Sequence, residues 1–128
     1  MNIEEFREYC LSKNGVTESF PFDESTLVFK VMDKMFALTS LDTAFRFSVK
    51  CDPETAISLR EEYPCVQPAW HMNKTHWNMV IVDGYVDDET LKGWVDLSYE
   101  LVVSGLTKKQ IEKLLGGSKP AAPKKNKK

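Results

Sequence analysis

Three β-prone segments follow one another between residues 26 and 50, and they constrain the fold more than any other feature. Thr26–Val31 and Met35–Thr39 are apolar runs, and the short spacing between them predicts a tight hairpin with Asp33 and Lys34 at its tip. Phe45–Lys50 follows after a few polar residues. Together the three segments predict an antiparallel meander.

The third segment indicates that one face of this meander contacts solvent. Aromatic and aliphatic residues alternate there with polar ones, so Arg46 and Lys50 lie on the side opposite Phe47 and Val49. Antiparallel sheets commonly bury one face and leave the other wet. The loop before the meander contains Phe20 and Phe22, which we expect to anchor it to the core.

A second strand pair is predicted within Pro68–Val82, which holds both histidines and two of the three tryptophans. A three-residue loop would place His71 on the face of Trp77. A loop of two or four residues instead groups Trp70, Met72, Trp77, Met79 and Ile81. Because register follows the hydrophobic pattern, we predict the even loop. The other face then carries four polar residues: His71, Asn73, His76 and Asn78.

Helix start signals complete the pattern. Asn2 precedes an amphipathic segment, Asp52-Pro53-Glu54 combines a cap with a first-turn proline, Asp87 or Asp88 precedes a long apolar stripe, and Thr107–Gln110 is a capping box. The predicted class is α+β, an antiparallel sheet made of the meander plus a hairpin with helices packed on it. The predicted order is α-β-β-β-α-β-β-α-α.

Chain length and composition predict one domain. A chain of 128 residues with 42% hydrophobic content can bury a core without staples, and we assign residues 1–117 to this domain. Residues 118–128 contain proline, alanine and lysine with no apolar anchor, which predicts a disordered lysine-rich tail. Five of the 17 lysines and arginines lie in this tail. Residues 1–118 therefore carry 12 cationic and 19 acidic groups, a net charge of −7.

Several classes of protein are disfavoured by the composition. Cys10, Cys51 and Cys65 are odd in number without CxxC spacing, which argues against a disulfide framework and fits a reducing cytoplasm. The first residues lack the apolar segment of a signal peptide, and no apolar run is long enough to cross a bilayer. We therefore expect a cytoplasmic protein without a membrane partner.

The sequence contains no motif that predicts catalysis, a cofactor or a metal. It lacks a glycine-rich phosphate loop, a nucleophile elbow and a cysteine–histidine pair with an orienting acid. His71 and His76 are five residues apart, which is not a zinc-ligand spacing. We expect a protein that is not an enzyme and that has no metal and no cofactor.

Five short motifs together resemble one known family. They are Phe20-Pro-Phe22, Lys34-Met-Phe36, Lys50-Cys-Asp-Pro53, Trp70-His-Met-Asn-Lys74 with His76-Trp77, and Ser98-Tyr99. They are similar to the MmcQ/YjbR-like family over about residues 2–115. This resemblance implies a small bacterial α+β protein, with a sheet related to those of type III secretion chaperones and frataxin-like proteins. It also implies DNA binding through a "double wing" of hairpins.

Two binding hypotheses follow. In the first, the chain binds double-stranded DNA through wing and sheet residues, namely Lys34, Arg46, Lys50, Lys74 and His76. In the second, it binds a protein or a small molecule through the polar hairpin face, namely His71, Asn73, Lys74, His76 and Asn78. Either protein would be a monomer or a homodimer. The acidic body argues against the first hypothesis, because polyanion binding depends on lysine and arginine contacts to phosphate.

Overall fold

A computed structural model describes residues 1–69 and 72–117, which form one antiparallel sheet and four helices. The sheet order is β1-β2-β3-β4-β6-β5. The elements in chain order are α1 (Ile3–Leu11), β1 (Val16–Ser19), β2 (Thr26–Val31), β3 (Lys34–Ser40), β4 (Arg46–Lys50), α2 (Pro53–Glu62), β5 (Val66–Pro68), β6 (Trp77–Ile81), α3 (Asp88–Ser104) and α4 (Lys108–Gly117).

The α+β class, the meander and the predicted order of elements are confirmed. The structure adds β1, a four-residue edge strand in which Val16 is opposite Val31 and Ser19 is opposite Val28. This strand was not predicted from the sequence; none of its residues is fully buried, because residues buried to an intermediate degree alternate in it with exposed residues. The predicted tail lies outside the described residues.

All four predicted helix starts are confirmed. Asn2 and Glu5 form a capping box, with each side chain accepting a hydrogen bond from the other residue's backbone N–H. The side chains of Asp52 and Asp87 accept from the backbone three residues ahead. Thr107 and Gln110 form a second reciprocal box.

The turn between β2 and β3 is one residue earlier than predicted. Lys34 already belongs to β3, and the two turn residues are Met32 and Asp33, at φ angles of 50° and 66°. Two positive φ values in succession are typical of the type I′ turn that matches strand twist in a hairpin. Further along, Phe29 is opposite Ala37 but Lys30 is opposite Met35, so Phe36 is an extra, bulged residue.

The predicted even loop between the last two strands is wrong. Strand β5 lies before Trp70 rather than around it, and Pro68 is opposite Asn78 in the pairing with β6. Proline has no N–H for the ladder, so the strand ends there. Residues 73–76 turn on themselves instead of pairing, because the backbone N–H of His76 donates to Asn73 O at 3.1 Å.

The helices share one face of the sheet, and the core lies between them. Phe6 of α1 stacks on Phe47 with ring centroids 4.7 Å apart and meets Phe29 edge-on at 5.7 Å. Leu91 and Val95 of α3 are buried in the same cluster. No helix within the described part of the chain is long and apolar enough to span a membrane.

A polar cluster joins α1 to α3. Asp96 accepts hydrogen bonds from Lys13 Nζ at 2.5 Å and from Tyr9 Oη at 2.6 Å. Burial opposes ionisation of Asp96, but these two hydrogen bonds outweigh it and lower the pKa of the carboxyl. Burial and the bond to Asp96 raise the pKa of Tyr9 to about 12.

Ser98 ties α3 to the centre of the sheet. Its hydroxyl is buried, donates to Phe36 O at 2.5 Å and accepts from Lys50 N at 2.8 Å. The ladder between β3 and β4 ends at the pair Ala37–Val49, and this hydroxyl joins the backbone groups just beyond it.

Replacing Ser98 by alanine should lower the free energy of unfolding by about 2–4 kcal/mol, because two buried backbone groups lose their partner. Ser104→Ala is the control on the same helix, since Ser104 is exposed and bonds only Leu101 O. We expect it to change stability by less than ~0.5 kcal/mol. Denaturant unfolding followed by circular dichroism measures both. Equal stability of the two variants would contradict the bridging role of Ser98.

The Asp96 cluster predicts a component of acid unfolding. A carboxyl with a lowered folded-state pKa contributes stability that is present above its unfolded pKa, about 3.9, and is lost as pH falls through the folded value. The stability of Asp96→Asn should therefore decline less than that of the unmodified chain between about pH 5 and pH 2. If the free energy of unfolding falls equally in the two proteins over this pH range, the cluster has no such role.

Candidate functional site

The sheet face opposite the helices, which we call the outer face, carries a distinct set of charges. The pairing registers place these strand residues on it: Thr17, Ser19, Thr26, Val28, Lys30, Met35, Leu38, Ser40, Arg46, Ser48, Lys50, Gln67, Trp77 and Met79. Lys30, Arg46 and Lys50 are the charged members of this set. The outer-face strands therefore present cations and no acid.

The cations of the outer face have no acidic partner within 4 Å among the residues that the structure describes. On the helix side, Arg7 pairs with Glu18 at 2.5 Å and Lys13 pairs with Asp96 at 2.5 Å, whereas the lysines of α4 have no acidic partner within 4 Å among the described residues. Unpaired cations on a partly apolar surface favour an anionic partner. The acids on this face are confined to loop and turn residues, namely Asp23 and Asp42 at the mid-sheet end and Asp33 at the hairpin end.

The loop before β2 divides the outer face. Phe20 and Phe22 are 48% and 60% exposed, so the prediction that they anchor the loop in the core is wrong. Asp23 fixes the end of the loop by accepting hydrogen bonds from the backbone N–H groups of Ser25 and Thr26 at 2.9 and 2.7 Å. These bonds lower the pKa of Asp23. Asp23 is therefore firmly ionised and places a negative charge beside the outer face.

Phe22 is a wall shared by two cavities on this face, each of about 610 Å³. The mid-sheet cavity is lined by Phe22, Asp23, Ser25, Thr26, Leu38, Thr39, Ser40, Asp42, Thr43, Arg46, Phe47, Ser48, Ala69, Met72 and Met79. The hairpin-end cavity is lined by Pro21, Phe22, Lys30, Asp33, Lys34, Met35, Lys50, Trp77, Leu101, Val102 and Gly105. Arg46 is the cation of the first cavity, whereas the second holds three lysines and a single acid.

The structure brings together three of the five residues of the DNA hypothesis. Arg46 and Lys50 lie on the outer face, and Lys34 lines the hairpin-end cavity. Lys74 and His76 are in the turn before β6: Lys74 O accepts from Arg60 at 3.3 Å, and His76 O accepts from Cys51 N at 2.7 Å, next to the end of β4.

The polar set of the second hypothesis does not form one surface. Asn73 Oδ1 accepts from Thr75 N at 2.8 Å within its own turn. Asn78 is buried on the helix side and donates from Nδ2 to Ala56 O at 3.1 Å, which holds α2. The prediction that these residues share one face required the even loop, and the observed β5–β6 pairing excludes that register. His71 lies outside the described residues.

Sequence reasoning missed Lys30, Phe22 and the placement of Trp77. Lys30 is the one polar position inside an otherwise apolar strand, so counting alternate residues from either end of β2 would have assigned it to the wet face. Trp77 was expected in the core; it is buried, yet it also lines the hairpin-end cavity. No pattern in the sequence separates a loop phenylalanine that packs in the core from one that stays exposed.

The described residues contain no group of three histidine, cysteine or acidic side chains that could hold a metal ion. All three cysteines are free and buried. Burial raises the pKa of each thiol, and for Cys51 burial together with the nearby Asp52 raises it to about 11.

We predict that the native thiols react slowly with a disulfide reagent at pH 8. A rise in pKa from about 8.5 to 11 lowers the thiolate fraction at pH 8 roughly 200-fold, and burial restricts access further. Addition of guanidinium should release three equivalents at the normal rate, which is the internal control. A native thiol that reacts as fast as free cysteine would contradict the buried positions of the three cysteines.

An α+β sheet that carries its helices on one face and lysine and arginine side chains on the other is the class of structure that these observations define. The YjbR family model matches residues 11–101, and the chain belongs to the YjbR family. It is 35% identical over 116 residues to "Uncharacterized protein YjbR" of Escherichia coli K12, covering 90% of this chain and 98% of that protein. It is 32% identical over 99 residues to "Uncharacterized protein YbdF" of Escherichia coli O157:H7, covering 77% and 81% of the two chains.

Solved structures agree with the fold. Deinococcus radiodurans protein DR2400, of domain family DUF419, superposes with a TM-score of 0.82 at 38% identity, over 92% of this chain and 94% of that one. A Pseudomonas syringae protein, target PsR293, gives a TM-score of 0.69 at 28% identity, over 79% and 98%. Each similarity covers more than three quarters of this chain and more than nine tenths of the other protein.

Proposed function

We propose that this protein is a non-enzymatic nucleic-acid-binding protein whose site is the outer face of the sheet. The observation that carries the proposal is the charge pattern of this face. Lys30, Arg46 and Lys50 come from two strands and have no acidic partner within 4 Å in the described ranges, 1–69 and 72–117. Lys34 adds a fourth cation at one end. Phosphate contacts by lysine and arginine supply most of the affinity in nucleic-acid binding.

A single strand fits this face better than a duplex does. The four helices of the described chain lie on the other face, so none of them is available to enter a major groove from here. Single strands are bound in a different way: their bases stack on aromatic side chains while nearby cations neutralise the phosphates. Phe22 is exposed above the sheet and can supply such stacking, whereas Trp77 is largely buried and reaches the surface only where it lines the hairpin-end cavity.

The acidic body does not prevent such binding. Electrostatic attraction depends on the local arrangement of charge within about one Debye length, ~8 Å at physiological ionic strength. On the helix side, Glu18 and Asp96 each neutralise a neighbouring cation. The net charge of −7 of residues 1–118 therefore does not by itself give the potential at the outer face.

Salt-dependent binding tests the proposal. The full chain with its five tail lysines changed to serine should bind a fluorescent 12-nucleotide single strand, with log K falling against log salt at a slope of roughly −2 to −3, for about four neutralised phosphates. Lys30→Ala with Lys50→Ala should reduce the slope by about 1.4 and weaken binding. Fluorescence anisotropy measures both quantities.

Lys108→Ala with Lys109→Ala is the matched control, since it removes two exposed lysines from α4. It should leave the slope almost unchanged. A matching 12-base-pair duplex is measured beside the single strand. Binding that resides in the tail lysines, or that is insensitive to Lys30 and Lys50, would refute the outer face as the site. Preference for the duplex would refute the single-strand form of the proposal.

A further inference from the structure

We propose that the hairpin-end cavity binds a phosphate monoester, the terminal phosphate of a nucleic-acid strand. This inference rests on the proposed function and adds to it a position and a ligand group. The cavity lies at the corner of the outer face where the β2–β3 turn, the end of β4 and the start of β6 meet.

The charge of the cavity matches a dianion. Lys30, Lys34 and Lys50 line it together with Asp33, which gives a formal charge of +2. A phosphate diester inside a strand carries one negative charge, whereas a monoester carries −1.5 to −2 at pH 7. The phosphates of a strand follow one another along its length, yet three of the four cations described for this surface line one cavity. This clustering of the cations favours binding of a strand end over binding along a continuous stretch of the nucleic-acid backbone.

The uncharged walls of the cavity suit the nucleoside next to that phosphate. Phe22 offers an exposed aromatic ring, Trp77 lines the cavity with the small part of its side chain that is accessible, and Met35 adds a polarisable thioether; Leu101 of α3 and the capping residue Gly105 also line the cavity. Bases stack on aromatic side chains without sequence preference. A volume of about 610 Å³ lies within the range of small-ligand sites, which is large enough for one nucleotide.

The fold holds the lysines in position. The backbone N–H of Lys50 donates to the buried hydroxyl of Ser98, which fixes this end of β4 against α3. Lys34 follows directly after the type I′ turn, and Lys30 is opposite Met35 next to the Phe36 bulge. The backbone positions of the three lysines are thus set by turn, bulge and helix before a ligand arrives. Preorganisation of this kind lowers the cost of binding.

The test compares strands that differ only at their ends. Binding of one 12-nucleotide sequence with a 5′-phosphate, a 3′-phosphate or no phosphate is measured by anisotropy on the full chain with the serine-substituted tail. We expect about fivefold tighter binding of a phosphorylated form, as two or three exposed ion pairs would give. The preference should be smaller at pH 5 than at pH 7.5, because the second ionisation of the phosphate has a pKa near 6.

The ratio between phosphorylated and unphosphorylated strands cancels any titration of the protein that affects both. The charged groups lining the cavity are Lys30, Asp33, Lys34 and Lys50, and no histidine or cysteine is among its lining residues. Lys34→Gln should abolish the preference, and Lys113→Gln on α4 should leave it intact. Asp33→Asn should increase it about twofold, because asparagine tolerates the positive φ of the turn and the variant removes the acid.

The outcomes separate this inference from the proposed function. Equal binding of all three strands overturns the cavity inference and leaves outer-face binding standing. Absence of binding by any strand overturns the proposed function. In a second arm, adenosine monophosphate is titrated into the protein and followed by tryptophan fluorescence. Nucleotide binding that is lost in Lys34→Gln, without any strand binding, would identify a free nucleotide as the source of the monoester.

Discussion

Two hydrogen bonds of one buried serine hold the centre of this protein together. Ser98 connects α3 to β3 and β4 at the level where the ladder between those strands ends. An apolar residue at this position could fill the space but could not satisfy the two backbone groups, and an unsatisfied buried group is costly. The bridge thereby fixes the end of β4, and with it the place of Lys50 beside the β2–β3 hairpin.

The same arrangement explains how an acidic protein can present a cationic surface. Every described helix packs on one face of the sheet, and on that side Glu18 and Asp96 neutralise neighbouring cations. The strands contribute lysine and arginine to the other face. Only the loop and turn acids Asp23, Asp33 and Asp42 line its cavities, and Asp23 is engaged in its own turn. The binding proposed for this face therefore depends on where the charged side chains lie, which the net charge does not show.

The sequence predicted those parts of the fold that are encoded locally. Alternation in residues 45–50 and the capping residues Asn2, Asp52, Asp87 and Thr107 each act within a few positions, so the meander, the helices and two of the cationic site residues were foreseeable. The β5–β6 register could not be predicted, because β5 has three residues and the turn at Asn73 competes with strand pairing through its own hydrogen bonds. The exposure of Phe22 could not be predicted either, because it depends on how its loop passes over a sheet face that is distant in sequence.

A nuclear magnetic resonance titration tests the central claim most directly, because it shows which face of the sheet meets a nucleic acid. With a short single strand added to ¹⁵N-labelled protein, the account predicts shifts at the amides of Lys30, Arg46 and Lys50, at the indole of Trp77, and in the loop around Phe22. Amides on the exposed sides of α1 and α2 should not move. Shifts confined to the helix side or to the lysine-rich tail would contradict the assignment of function to the outer face.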